Sequence, residues 1–135
     1  MKKKKDISSR ADIELLVKVF YEKVLVDDTL APIFIDIAKV DLYDHLPIMY
    51  DFWESALFQV GKYKRDTFGA HLDLHQIQRL EAIHFNRWLE LFNETVEDYF
   101  EGIKATQAKE RALSIATFIK VKLNNLDRMK LELNN

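Results

Sequence analysis

From Ser9 onward, apolar residues recur at intervals of three and four, which predicts a series of amphipathic helices. Ser9 can cap the first, and Asp12 suits the positive end of its dipole. Ile13, Leu16, Val17, Phe20, Tyr21 and Val24 form its stripe, which fades at Asp27-Asp28. A short segment from Thr29 to Asp36 follows, with Pro32 in its first turn and Ile33-Phe34 in need of cover. The second stripe comprises His45, Ile48, Met49, Phe52, Trp53, Ala56, Leu57 and Val60. Pro47 has no amide and is expected near the start of that helix, and Gly61 is a natural stop. Residues 62–76 have no clean period and read as loop with a turn or two of helix. The third helix is expected from about Ile77 to Phe100, with Leu80, His84, Trp88, Leu91, Phe92, Thr95 and Tyr99 inward and Gly102 beyond its end. The fourth is expected from about Thr106 to Asn125, with Ala108, Ala112, Ile115, Ile119 and Leu123 inward. The polar tail, 127–135, is expected to fray.

The fold class is therefore all-α, and 135 residues suit a single domain, 1–135. Residues 1–8 read as a basic, solvated extension. With no cysteine, disulfides and thiolate chemistry are excluded. The net charge of −2 and the scattered basic residues argue against a nucleic-acid protein, which usually carries a basic stripe. No signal-peptide core or membrane-length apolar run stands out, so a soluble cytoplasmic protein, not a membrane protein, is expected. Nine Phe, five Tyr and two Trp exceed what a small helical core needs merely for filling.

Three side chains with polar atoms lie on inward stripes: Tyr21, His45 and Trp88. Buried, each needs a partner or costs about 1–3 kcal/mol. Singly, such residues are ordinarily core groups bonded to a backbone carbonyl. His71 and His75 admit three readings: a metal pair at i, i+4, a single axial ligand to a cofactor, or two solvated loop residues. Gly69 and Ala70 just before His71 would let a group come close to the backbone. Glu81 and His84 match half of a di-iron carboxylate pattern, but a second Glu-x-x-His is lacking, so His84 reads as structural. No Ser–His–Asp arrangement or phosphate-cradling loop is present, and no catalytic residue is assigned.

The ordered words "FYEKV" (20–24), "LAPIF" (30–34), "FW" (52–53), "HLDL" (71–74) and "RWLELF" (87–92) resemble the truncated haemoglobins of group III. The resemblance covers roughly residues 11 to 125. It implies a two-over-two helical sandwich, a shortened globin, enclosing haem b (iron protoporphyrin IX). By position it implies His71 as the proximal iron ligand, and Tyr21, His45 and Trp88 as distal residues. It also implies Phe34 as a ring against the haem edge. Ile33, Phe52, Trp53 and Leu91 could then wall the cofactor, Lys62, Lys64 and Arg65 could pair with its propionates, and Tyr63 matches a family tyrosine of the cofactor site. The family usually shows glycine and proline before the proximal histidine; here Arg65 and Thr67 stand at those positions. The function implied is reversible binding of dioxygen and other diatomic ligands such as CO and NO. Its redox variant, nitric oxide dioxygenation or peroxidase-like turnover, would need a reductase that the sequence does not name. The alternative reading is a haem-free helical interaction module whose stripes are ordinary core.

Overall fold

The computed structural model describes residues 4–33, 42–58 and 81–133, the side chains at 42–45, 123 and 126–133 excepted. Among these residues four α-helices follow in order: α1 (Arg10–Val26), α2 (Leu42–Phe58), α3 (Ala82–Tyr99) and α4 (Ile103–Leu133). No strand occurs among the described residues.

α1 starts where its cap demands. The Ser9 side chain accepts the Asp12 amide, and all six stripe residues are buried. α2 begins at Leu42, earlier than the His45 from which its stripe was read. Pro47 consequently stands in its second turn, at the cost of one intrahelical bond. The buried positions of α2 are Met49, Trp53, Leu57 and the carboxylate-bearing Glu54, which is held by Arg10.

α3 buries Leu91, Phe92 and Thr95 as expected, together with Phe85 and Val96. Tyr99, expected inward, is exposed. The buried face rotates toward Val96 because α4 packs along that side, and Phe100, one residue on, enters the core in place of Tyr99. His84 has the structural role read for it: its Nδ1 accepts the Glu81 amide at 2.8 Å and caps α3. α4 extends past the expected range at both ends. No glycine or proline interrupts Ile103–Leu133, so the helix continues through the polar segment that was expected to fray.

α1 and α3 are antiparallel. Lys23 meets Glu94 and Asp98, whereas Asp27, one turn further along α1, meets Arg87. α3 and α4 form a helical hairpin, tied by Lys109–Glu97 near the turn and by Lys120–Asn86 at the far end. α4 also packs on α2, and α1 packs on α2, so each helix touches two others around one core.

The N-terminal segment departs from the solvated extension expected of it. Ile7 is buried in the core. Asp6 accepts the amides of Ile7, Lys104 and Ala105, each at 2.9 Å, and so caps α4 from almost a hundred residues away. Gly102 makes this possible. Its φ of +144° suits glycine, and a Cβ there would lie 2.5 Å from Asp6 Cγ. The lysines were read as a solvated charge run, but the apolar and capping residues that follow them decide the outcome.

Candidate functional site

The residues singled out on helical stripes converge on one aromatic cluster. Tyr21 is turned inward by the period of α1 and is 7 % exposed. Burial pushes its phenol above the ordinary tyrosine pKa, so the hydroxyl keeps its proton and remains a donor. Phe20 lies 5.2 Å from the Tyr21 ring and meets Trp88 edge-on at 5.6 Å. Trp88, half-buried on α3, stacks on Phe92 at 5.8 Å and 13°. Trp53 from α2 stacks on the same Phe92 at 4.9 Å and 21°, and Phe52 meets Trp53 edge-on. Aromatic pairs of this kind contribute about 0.5–1.5 kcal/mol each beyond their buried area.

Of the predicted site residues, Tyr21, Phe52, Trp53 and Trp88 thus belong to one cluster, and Ile33 and Leu91 are buried. Phe34, Lys62, Tyr63, Lys64, Arg65, His71 and His75 lie outside the described residues, as does the side chain of His45. Among the described residues no group of three or more His, Asp or Glu side chains could hold a metal ion. Nor is any of their helices long and apolar enough to cross a membrane.

Sequence reasoning passed over the linkers of this cluster. Phe20 and Phe92 were read as stripe residues only, although they connect the phenol, the two indoles and three helices. It also passed over Asp27. This carboxylate accepts the Thr29 and Leu30 amides, each at 3.1 Å, and Arg87 Nε at 2.7 Å. Burial alone would raise its pKa, but the Arg87 guanidinium and the two amides outweigh that and hold it below the usual carboxylate value. An aspartate two residues before a threonine at a helix end is a legible turn signal. Its pairing with an arginine sixty positions away is not.

What the arrangement can do follows from its parts. Flat apolar rings offer contact to a planar apolar group, while a protonated phenol and an indole N–H offer donors to a small polarised ligand.

No family model matches the chain. It is 30% identical over 112 residues to a group 3 truncated haemoglobin of Campylobacter jejuni, a match covering 81% of this chain and 86% of the relative. The crystal structure of a group III truncated haemoglobin from Campylobacter jejuni superposes with a TM-score of 0.74 at 29% identity, covering 89% of this chain and 94% of that one. The helix order, the aromatic cluster and these likenesses agree: the chain belongs to the group III truncated haemoglobins.

Proposed function

We propose that this globin holds haem b and reversibly binds dioxygen, carbon monoxide and nitric oxide. One observation carries the reading: a buried phenol on α1 and a half-buried indole on α3 share the Phe20 ring at the edge of an apolar cluster. The residues present fit the group. Ile33, Phe34, Phe52, Trp53 and Leu91 would wall it, His71 would be its axial ligand, Lys62, Lys64 and Arg65 would pair with its propionates, and Tyr63 would lie at the same site. When bound, haem supplies the iron at which a diatomic gas is held.

The protein's own part is binding and orientation. His71 must be neutral, with its second ring nitrogen fixed by an acceptor. Tyr21 keeps its proton because burial disfavours the phenolate, and it donates toward the polarised gas together with Trp88. His45, near the start of α2, would cover the mouth of the distal side and swing aside for ligand uptake. The apolar walls exclude bulk water, which strengthens each donor. Turnover of nitric oxide or peroxide would extend this activity and would require an external reductase.

The test is an absorption spectrum of the purified chain, ferric and ferrous, with and without carbon monoxide. An intense Soret band is expected. His71→Gly should lose haem or take up added imidazole, whereas His75→Gly should keep the wild-type spectrum. The reverse outcome would move the ligand to His75. A colourless chain that takes up no added haemin would favour the haem-free interaction module.

A further inference from the structure

The α1–α3 interface is made of rings at its centre and charges at its rim. The edge-on contacts of Phe20 with Trp88 and Phe92 set the coarse register of α1 against α3. Directional contacts at the rim refine it. Lys23 offers one such tie, but its partners Glu94 and Asp98 are both well exposed and share one ammonium. The Asp27–Arg87 pair is of a different kind. The Asp27 side chain is 8 % exposed, and two backbone amides already fix its second oxygen. The guanidinium is oriented from its own helix by Glu90 at 2.9 Å before it reaches Asp27 through Nε. Trp88 follows Arg87 directly. The turn held by Asp27 leads to Leu30 and Ile33, both buried, and its backbone carbonyl accepts the Ala31 amide at 2.8 Å.

We propose that Asp27 and Arg87 are positioning residues: their ion pair refines the register of α3 against α1, aims the Trp88 indole at the ligand side of Tyr21, and thereby tunes discrimination between dioxygen and carbon monoxide. The gas readout rests on the haem-pocket reading above; the placement of Trp88 does not. Dioxygen is the more polarised ligand when bound, so a misaimed donor weakens its retention more than that of carbon monoxide.

Four variants of the full chain separate the possibilities. Arg87→Gln removes the charge, and Arg87→Lys keeps it without the Nε geometry. Asp27→Asn retains an oxygen for the turn amides but loses the ion pair. Lys23→Gln removes the other α1–α3 tie as a control. Two measurements are made: dioxygen and carbon monoxide dissociation by stopped flow on the haem-loaded protein, and the indole N–H signals of Trp53 and Trp88 by NMR on the haem-free chain. Arg87→Gln and Asp27→Asn should release dioxygen about threefold faster, with carbon monoxide release nearly unchanged. Their Trp88 indole signal should shift and exchange faster with solvent while Trp53 stays in place. Arg87→Lys should recover part of both effects, and Lys23→Gln should show neither. Equal acceleration of both gases, an unmoved Trp88 signal, or the same changes in Lys23→Gln would overturn the proposal. If the chain takes up no haem, the pocket reading fails, and the Trp88 signal alone decides whether the pair positions the indole.

Discussion

The two ends of α1 are held by opposite means. At its start, carboxylates do the holding. Asp12 accepts Lys5 Nζ at 2.7 Å and both the amide and hydroxyl of Ser8, while Asp6 caps α4. Toward its end, Phe20 packs against Trp88 and Phe92 of α3, and the buried Tyr21 ring lies against Phe20. Each carboxylate oxygen of Asp6 and Asp12 accepts a short, directional bond, which suits the task of fixing residues 4–8 to the helices. The ring end relies on apolar burial and ring-to-ring geometry, and it includes Tyr21 and Trp88, the two donors proposed to meet a polarised ligand. One end is held by directional bonds and the other by ring packing, and the residues proposed to meet a ligand lie at the second.

The sharpest way to break this contrast is Phe92→Ala. Phe92 is fully buried and touches Phe20, Trp53 and Trp88. Its loss should destabilise the fold by about 3–5 kcal/mol. Denaturant unfolding would show this, and haem retention should fall with it. A loss below about 1 kcal/mol would mean that the rings do not hold the helices together.

Asp6→Ala tests the other end. It removes the acceptor for two α4 amides and should cost about 2 kcal/mol. The dioxygen and carbon monoxide rates of the folded protein should not change. Altered gas kinetics would show that the two ends are coupled.

Tyr21→Phe should do the converse. Thermal stability should change little, while dioxygen release accelerates about tenfold, the equivalent of about 1.4 kcal/mol, and carbon monoxide release barely responds. Comparable acceleration of both gases would indicate a reshaped pocket rather than a lost donor.

Acid provides the mildest probe. For Asp6, burial raises the pKa, but the amides of Lys104, Ala105 and Ile7 outweigh it. For Asp12, burial is likewise outweighed by Lys5 and Ser8. Both carboxyls sit below their ordinary value of 3.8 when folded. Their stabilisation is complete above the unfolded value and is lost as pH falls through the folded ones. Wild-type melting temperature should therefore drop on acidification to about pH 3, and Asp6→Asn should drop less over the same range. Parallel curves would remove Asp6 from the acid response.

The helical part of the aromatic cluster was legible because it lies on helical periods. Tyr21, Trp53 and Leu91 occupy inward positions that a spacing of three and four marks out, and the structure buries each. The same rule misplaced Tyr99, since a stripe gives the direction of a helix's apolar face only to within a turn, and the packing of α4 selected Val96 and Phe100. Local capping was equally legible at Ser9, where donor and acceptor are three residues apart.

The sequence by itself determined the order of the four described helices, the inward face of α1, that of α4 through Ile119, and the family, because periodicity and short ordered motifs are local properties of a chain. Tertiary structure alone decided that residues 4–8 are anchored through Asp6 and Ile7, that Asp6 lies against Gly102, that Asp27 meets Arg87, and that Phe20 and Phe92 join phenol to indoles. Apart from the near neighbours Phe20–Tyr21 and Trp88–Phe92, these contacts pair residues 39 to 96 positions apart. No spacing rule spans such separations, because the partner of a charge or a ring is fixed by how whole helices pack and not by what lies next to it in the chain.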